Sequence, residues 1–510
     1  RRSHGAADGD RAVMMRTATA LLTSLLICLC LIPAVAEGRH LPINDQFVIT
    51  GRGDQIIATT TALQAAMRET IDARIQARHP AAFQVPPPEP PPNLSCGRTG
   101  TVFLDGQAFR DAAGVFKGFG ATYMSALYWE RADRGYLQRN LDWLSERGVN
   151  YIRILTAVGD FTSDDFWRGR EVDPRWDGYF AATFNDLFVD LEARCLRAEV
   201  VLTDQVPALD TQAQRFAWLD RLAPFLEEHR EQVQFVEVSN ESHANADNPK
   251  LTSHDLAELT RYWKSISDIP VAPSSPGPGT AEESIAELFR DYDLTADLLT
   301  PHFDRDRRED GYRPHRQAWE VQFYEHVNTH VFTNNEGIGC GSSVSTDCDP
   351  ARLAMGMANT FVSRGAGFVF HTVAGVRGDL PFWELPNAEP IMTALRGVMA
   401  LLPDNIANGA TCNTHWDCHP YEHHDQIWPS TGGVGVVRAF CSHIDGVDMC
   451  PVMGMRESYF VTAKRRLTVE VFDARDASQR LEVVELDAGQ DWTFTPHGDL
   501  RDFIHRIAPR

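Results

Sequence analysis

The sequence predicts a (β/α)8 TIM barrel, an α/β fold, followed by a small C-terminal antiparallel β-domain. Between about residues 100 and 400, short apolar runs alternate with amphipathic helical segments, which is the pattern of repeated strand–helix units. Beyond residue 430 the apolar period falls to two, as at 467–471, which is typical of antiparallel strands with one buried face. A chain of 510 residues is long enough for both domains.

The barrel elements follow from this alternation in chain order. Leu137, Leu141 and Leu144 fall on one helical face, and Gly148 ends that helix just before an apolar strand. The same arrangement, now with Phe216 and three leucines, recurs before the apolar run at 233–238. The eight barrel strands are predicted at residues 116–120, 151–155, 199–203, 234–238, 270–272, 296–300, 330–333 and 368–370.

Two further segments precede the barrel in the predicted organisation. Residues 1–36 combine a positive charge, an apolar core at 18–31 and a small-residue cleavage site at 34–36, which is typical of a signal peptide with some upstream residues. Residues 37–93 form an N-terminal arm with a proline-rich linker at 86–92. We assign the barrel to 94–400, and the connection and β-domain to 401–510. This organisation predicts a secreted or periplasmic protein, with an uncleaved membrane anchor as the alternative.

Charge and composition exclude several classes of partner. The formal net charge of −22 and a pI of about 5.2 would repel phosphate backbones and anionic membranes, so no nucleic acid and no membrane partner is expected after signal cleavage. The hydrophobic content of 43% is that of a folded protein, and global disorder is therefore excluded. The sequence does not determine the oligomeric state.

The cysteine count predicts disulfides in an exported protein. Of ten cysteines, two lie inside the signal segment, and the even number that remains suggests bridges in an oxidising compartment. Three pairs close in sequence could bridge loops: Cys340 with Cys348, Cys412 with Cys418, and Cys441 with Cys450. This leaves Cys96 and Cys195, and because eight cysteines allow 105 connectivities the pairing stays open. A zinc site is the competing interpretation, but no pair has the short spacing of a zinc knuckle.

Two glutamates follow apolar strands directly. Glu241 comes after Ser239-Asn240 at the end of the fourth predicted strand, and Glu336 comes after Asn334-Asn335 at the end of the seventh. The carboxyl ends of barrel strands converge on one face, so the two side chains should face each other there. Paired carboxylates suit glycosidic bond cleavage, in which one acid protonates the leaving oxygen and one carboxylate meets the sugar cation.

These motifs resemble those of clan A glycoside hydrolases, and glycoside hydrolase family 5 in particular. Asn240-Glu241 and Asn335-Glu336-Gly337 are similar to the acid/base and nucleophile motifs, and residues 148–153 are similar to the second-strand segment that ends in a site arginine. The resemblance covers roughly residues 100–400. It implies that Glu241 is the acid/base and Glu336 the nucleophile, that Arg153 keeps Glu336 ionised, and that Asn240 donates to the sugar 2-hydroxyl. It also implies a carbohydrate substrate, an oligo- or polysaccharide, and no cofactor.

The chain departs from the family pattern at three positions. Ser242 stands where the family has proline, and Asp304 replaces the tyrosine that follows the sixth-strand histidine, His302. The eighth strand reaches His371 where the family commonly has a tryptophan. We predict His302, His371 and Trp383 as substrate-binding residues, the last because aromatic rings pack on the apolar faces of sugars. Trp129, Trp167 and Trp176 fall in segments on the same predicted face.

Alternatives remain at several of these residues. His302, His330, His371, Asp204 and Asp304 lie near predicted strand ends and could form a metal site, although metal-binding spacings are missing and no metal is predicted. A histidine here could equally be structural, and Arg153 could belong to a structural ion pair. The rival functions are a noncatalytic carbohydrate-binding barrel and a metal-dependent barrel hydrolase.

Overall fold

In a computed structural model of the chain, a small antiparallel sheet leads into a large parallel sheet. The strands of the small sheet, in sequence order, are β1 (Phe103–Asp105), β2 (Ala108–Asp111) and β3 (Gly114–Phe116). The ring of Phe109 on β2 stacks on that of Phe235 in the parallel sheet, with centroids 5.6 Å apart. Both rings belong to an apolar cluster with Tyr151 and Val331, the first residues of their strands. The small sheet, which the sequence did not predict, therefore covers the end of the barrel where strands begin.

The structure describes residues 96, 99–157, 177–204, 209–241, 251–274, 296–303, 331–337, 339–341, 347–378, 380–406, 410–411, 421–423, 438–439, 442–444, 447–453, 459–495, 497–500 and 502–510. All of them belong to one of the two compact units of the chain, Pro87–Arg510. The predicted signal peptide at 1–36 and the arm at 37–93 lie outside the described residues. None of the helices in the described part of the chain combines the length and apolarity that crossing a membrane requires.

Eight parallel strands form the barrel, which confirms the predicted fold class. In chain order they are β4 (Gly118–Thr122), β5 (Tyr151–Leu155), β6 (Arg197–Thr203), β7 (Val233–Ser239), β8 (Val271–Ala272), β9 (Leu298–Leu299), β10 (Val331–Asn334) and β11 (Gly367–Phe370). Neighbours pair in the order β8-β7-β6-β5-β4-β11-β10-β9. The sheet curls round so that the Asp297 N–H donates to the Val271 carbonyl at 3.0 Å, beside the two edge strands.

All eight predicted strands overlap observed ones. The second is observed with its predicted bounds, Tyr151–Leu155. The first is shifted by two residues, because Phe116 ends β3 and Lys117 separates it from β4. The fifth and sixth strands have only two residues each, Val271–Ala272 and Leu298–Leu299.

Helices connect or follow the barrel strands and bury apolar side chains, and the helix at Pro350–Val362 is buried on nearly all sides. The helices are α1 (Ala126–Ala132), α2 (Arg134–Glu146), α3 (Asp177–Glu192), α4 (Gln212–Glu228), α5 (Ser253–Ile266), α6 (Pro350–Val362), α7 (Val373–Val376) and α8 (Ala388–Leu401), with a short 3-10 helix at Phe382–Glu384. The predicted face of α2 is confirmed, since Leu137, Leu141 and Leu144 are fully buried. Thr211 and Thr252 begin α4 and α5 with capping boxes, which satisfy N–H groups of the first turn.

The C-terminal region forms two antiparallel sheets. Its strands are β12 (Ala410–Thr411), β13 (Tyr421–His423), β14 (Arg438–Ala439), β15 (Ser442–Ile444), β16 (Val447–Met453), β17 (Tyr459–Ala463), β18 (Leu467–Asp473), β19 (Asp476–Leu486), β20 (Asp491–Phe494) and β21 (Phe503–Pro509). The seven-stranded sheet contains β12-β15-β16-β21-β18-β19 with β14 beside β16, and the other sheet contains β13-β17-β20. The predicted alternation at 467–471 is confirmed, with Leu467, Val469 and Val471 buried.

Two disulfides lie within the described residues. Cys340–Cys348 closes a loop with a sequence separation of 8, as predicted. Cys96 and Cys195, the two that the sequence left over, bond to each other across a separation of 99 residues. Cys450 is also disulfide-bonded, whereas Cys441 and the predicted pair Cys412 and Cys418 lie outside the described residues.

Candidate active site

Glu241 and Glu336 meet at one end of the barrel because each follows the carboxyl end of a parallel strand. Strand β7 ends at Ser239 and β10 at Asn334. Glu241 has a φ of 40°, a left-handed backbone conformation that is uncommon for a residue with a side chain. Carboxylate oxygens of the two glutamates and a ring nitrogen of His302 all lie within 4.8 Å of one another.

Two glycines allow the loop after β10 to lie close to β11. A Cβ atom on Gly337 would come within 2.5 Å of the Phe368 ring, and one on Gly339 would collide with the His371 carbonyl oxygen. A side chain at either position would displace the loop that carries Glu336. In the Asn335-Glu336-Gly337 motif, the glutamate therefore directly precedes the glycine that lets its loop lie close to β11.

His302 bridges the two carboxylates. It follows β9, and its Nδ1 lies 2.7 Å from Glu241 Oε1 and 3.5 Å from Glu336 Oε2. The shorter distance is that of a strong hydrogen bond, so a proton on Nδ1 is donated chiefly to Glu241. His302, which follows the sixth barrel strand, thus lies between the carboxylates of Glu241 and Glu336, the pair that the sequence predicted.

His371 contacts Glu336 from the eighth strand. Its Nε2 lies 3.5 Å from Glu336 Oε2, and its Nδ1 lies 2.8 Å from Thr122 Oγ1 on β4. The side chain is almost fully buried. Thr122 therefore fixes the ring so that Nε2 faces the carboxylate.

Arg153 lies fully buried beneath Glu336. Its Nη1 donates to Glu336 Oε1 at 3.1 Å, and its Nη2 donates to Asn240 Oδ1 and Glu237 Oε2, both at 2.7 Å. Its Nε lies 3.0 Å from Glu199 Oε1. Burial alone would lower the pKa of Arg153, but the three carboxylates raise it above its ordinary value. The permanent positive charge of Arg153 therefore holds the carboxyl groups of Glu199, Glu237 and Glu336 in one buried cluster.

Glu199 and Glu237 are members of this cluster that sequence reasoning missed. Glu237 lies on β7, where it also accepts from Thr300 Oγ1 at 2.6 Å. Burial raises the pKa of Glu199 on β6 well above its ordinary value, although Arg153 acts against this. The missed signal was an acidic residue inside each of two apolar strands, where an unpaired charge is costly.

Two asparagines connect the cluster to the glutamates that follow the strands. Asn240 uses Oδ1 to accept from Arg153, which leaves its Nδ2 amide as the donor group. Asn335 accepts from Thr333 Oγ1 at 2.5 Å and donates through Nδ2 to Glu199 Oε1. Each residue before a site glutamate is thus held by the buried cluster.

Comparisons with known proteins bear on the fold. No protein-family model matches the sequence, and no curated protein matches it. A solved structure described as a glycoside hydrolase is 12% identical, with a TM-score of 0.57, and the match covers 82% of this chain and 98% of that one. A glycoside hydrolase family 5 structure from Bacteroides vulgatus is 11% identical, with a TM-score of 0.56, and the match covers 82% and 94%. The chain has the fold of a family 5 glycoside hydrolase.

The remaining predicted residues lie elsewhere on this glycoside hydrolase fold or outside the described residues. Trp383 lies on the 3-10 helix with 37% exposure, and within the described ranges no contact joins it to Glu241 or Glu336. Trp129 is buried and packs against Tyr128 and Tyr136. Trp167, Trp176, Ser242, Asp304 and His330 fall outside the described part of the chain. Trp383 as a sugar platform therefore stays a prediction.

A metal ion is the chemical alternative at this site. Glu241, His302 and Glu336 each offer a ligand atom within the 4.8 Å cluster. They combine carboxylate oxygens with an imidazole nitrogen, the donor types that zinc and similar ions accept. The same three residues can therefore be read as an acid, a nucleophile and their bridging histidine, or as a ligand set.

Proposed function

We propose that the protein is a retaining glycoside hydrolase that cleaves a β-glycosidic bond, with Glu336 as nucleophile and Glu241 as acid/base. The observation that carries the proposal is the separation of the two carboxylates, whose oxygens lie within 4.8 Å. Retaining enzymes have their carboxyl groups about 5 Å apart, whereas inverting enzymes need about 6.5–9.5 Å to admit a water molecule.

The surroundings of the two glutamates support these roles. Glu336 is 4% exposed and accepts from the Arg153 guanidinium, which favours the ionised form that a nucleophile needs. Glu241 is 22% exposed and contacts His302, so it can exchange protons with the leaving group and with water. Burial and charge thus separate two chemically identical side chains.

The proposed reaction has two steps. Glu336 attacks the anomeric carbon while Glu241 gives its proton to the leaving glycosidic oxygen, which forms a glycosyl-enzyme ester. Glu241, now ionised, then removes a proton from water as the water attacks that ester and releases Glu336. In this scheme the Asn240 amide, oriented by Arg153, donates to the sugar 2-hydroxyl. His371 contacts the sugar bound above Glu336.

The substrate and location are parts of the same proposal. A carbohydrate substrate is supported by the glycoside hydrolase fold and by the carboxylate pair together. Secretion or a periplasmic location is supported by the disulfides Cys96–Cys195 and Cys340–Cys348, which persist in oxidising compartments. We propose no nucleic-acid partner, since the net charge is −22.

The test is a screen of aryl β-glycosides and polysaccharides, followed by proton NMR of the first product formed. We expect release of a β-configured sugar before mutarotation, because two inversions restore the starting configuration. An α-configured first product would contradict the retaining mechanism. No turnover of any glycoside by the folded protein would favour the noncatalytic barrel.

The metal-dependent hydrolase is the second candidate, favoured by the cluster of Glu241, His302 and Glu336. Dialysis against a chelator separates the two candidates. The retaining glycosidase should keep full activity, whereas a metal-dependent enzyme should lose it and recover it on addition of a divalent ion.

A further inference from the structure

Three potential ligand atoms, from Glu241, His302 and Glu336, converge within 4.8 Å of one another at the mouth of the barrel, and His371 lies beside Glu336. Glu336 Oε2 lies 3.5 Å from His302 Nδ1 and 3.5 Å from His371 Nε2. Glu241 Oε1 lies 2.7 Å from the same His302 nitrogen. The four side chains come from loops or strand ends after four different barrel strands, so an ion bound among them would be contacted from several sides.

The spacing of these atoms suits a tetrahedral metal ion. Zinc binds imidazole nitrogen and carboxylate oxygen at about 2.0–2.2 Å, which places neighbouring ligand atoms about 3.4 Å apart. The two distances of 3.5 Å to Glu336 Oε2 already match this value, whereas the ligand atoms of the cluster that lie up to 4.8 Å apart would have to move toward the ion. The His302–Glu241 distance of 2.7 Å would have to open by less than the length of a bond.

The hydrogen-bond partners around these ligand atoms are of the kind that orient ligands in metal sites. A metal-binding histidine usually donates its other ring N–H to an oxygen, which fixes the tautomer and exposes the lone pair. Thr122 Oγ1 at 2.8 Å from His371 Nδ1 can accept such a hydrogen bond. Glu336 is likewise oriented, because Arg153 binds its Oε1 and leaves Oε2 directed at the histidines.

The charge of the site favours a divalent cation. Glu199, Glu237 and Glu336 contact the Arg153 guanidinium, and Glu241 lies beside Glu336. Among the described residues, the acidic groups of this cluster outnumber its one guanidinium, so negative charges are left uncompensated when the glutamates are ionised. A divalent ion would neutralise them in a largely buried setting, where charges are weakly screened.

We infer that Zn²⁺ or a similar divalent transition-metal ion binds between Glu241, Glu336, His302 and His371 and inhibits the enzyme. The bound ion would occupy the position of the sugar, hold Glu336 away from the anomeric carbon and prevent Glu241 from carrying a proton. Inhibition rests on the proposed function, whereas binding does not.

Cobalt(II) titration of the chelator-treated full-length protein tests the binding. Tetrahedral cobalt absorbs visible light far more strongly than octahedral cobalt, so the spectrum reports this geometry. We expect one tetrahedral site, from which Zn²⁺ displaces cobalt. His371→Ala and the milder His371→Gln should each weaken binding by at least about tenfold, and Glu336→Gln should do the same.

His254→Ala is the matched control. His254 is an exposed histidine on α5, 3.4 Å from Glu258, so it presents a histidine–glutamate pair away from the barrel mouth. Its variant should bind cobalt as the unmodified protein does. Equal affinity in folded His371→Ala, His371→Gln and Glu336→Gln, or an octahedral spectrum throughout, would overturn the inference.

Kinetics with an aryl β-glycoside separate this inference from the proposed function. We expect competitive, chelator-reversible inhibition by Zn²⁺, with a constant that matches cobalt displacement. If the glycoside is cleaved but Zn²⁺ inhibits noncompetitively or not at all, the inhibition is wrong while the proposed function stands. If cobalt binds and no glycoside is cleaved, the metal site stands and the proposed function fails. Activation by Zn²⁺ would contradict inhibition and favour the metal-dependent hydrolase.

Discussion

The two sides of the barrel mouth give a glutamate carboxylate different surroundings. On the inner side, Glu336 is nearly inaccessible to solvent and is bound by a buried guanidinium. On the outer side, Glu241 is partly exposed, has a left-handed backbone and contacts a histidine. A carboxylate paired with a fixed positive charge stays ionised, while one beside a titratable ring can gain and lose a proton. Position relative to Arg153 therefore divides the two proposed roles.

The largest expected effect comes from truncating each glutamate in turn. Glu336→Ala should lose turnover on every substrate by several orders of magnitude, because each turnover needs the nucleophile. Glu241→Ala should keep measurable turnover of an aryl glycoside with a good leaving group, since that group departs without a proton. Initial rates on activated and unactivated glycosides measure the difference.

Azide sharpens the same comparison. In Glu241→Ala a small anion can enter the vacated space and attack the glycosyl-enzyme without a base, so the expected product is a β-glycosyl azide. If azide instead rescues Glu336→Ala and gives the α-azide, the roles of the two glutamates are reversed.

The second expected effect is on stability, through the inner side. Arg153→Met leaves Glu237 and Glu336 buried without their cation, and should reduce the free energy of unfolding by about 3–5 kcal/mol. Urea denaturation measures it. The control is Arg480→Met, where an arginine with 55% exposure pairs with Glu470 at 2.7 Å and should contribute no more than about 1 kcal/mol. Equal losses in the two variants would show that the buried cluster has no special role.

A smaller difference in stability is expected between substitutions of Glu199 and Glu237, two glutamates that contact Arg153. Glu199→Gln should change the free energy of unfolding by less than about 1 kcal/mol, because burial already disfavours the ionised form of Glu199 by raising its pKa, and glutamine can still accept from Asn335 and Arg153. Glu237→Gln should cost about 1.5–3 kcal/mol, since Glu237 accepts from both Arg153 and Thr300. The reverse order in urea denaturation would contradict a raised pKa of Glu199.

The smallest expected effect concerns a buried carboxyl outside the Arg153 cluster. Burial, and next the charge of Asp190, raise the pKa of Glu130 on α1 from 4.5 to about 8. Because the folded protein holds this proton more tightly than the unfolded chain, the stabilisation is complete below pH 4.5 and is lost as pH rises through 8. Glu130→Gln should remove this part of the pH dependence in denaturation curves. An unchanged curve would show that Glu130 ionises normally.

The sequence predicted the site glutamates that follow strands better than the glutamates that lie within them. Glu241 and Glu336 were identifiable because strand ends are marked by the change from apolar to polar residues. Glu199 and Glu237 lie within strands, and only the three-dimensional convergence of four strands on Arg153 explains how acids are tolerated there. Strand periodicity alone carries no information about such partners.

The same limit applies to the fold. Alternation identified all eight barrel strands, since parallel barrel strands are short apolar runs between helices. Strand β16 has little support from sequence pattern, because it contains Pro451, which cannot donate to a ladder and argues against a strand. The bond between Cys96 and Cys195 joins residues 99 positions apart, and such a distance is set by the tertiary fold.

The most direct test of the central claim is to trap the proposed covalent intermediate. In an activated 2-deoxy-2-fluoro glycoside of the sugar that is cleaved, the fluorine slows both steps while the good leaving group speeds the first, so the glycosyl-enzyme accumulates. Mass spectrometry of the intact protein and of its peptides then locates the bound sugar. We expect one sugar per chain, on the peptide that contains Glu336, and none in Glu336→Ala. A label on Glu241, or turnover without any covalent adduct, would contradict the assignment of Glu336 as the nucleophile.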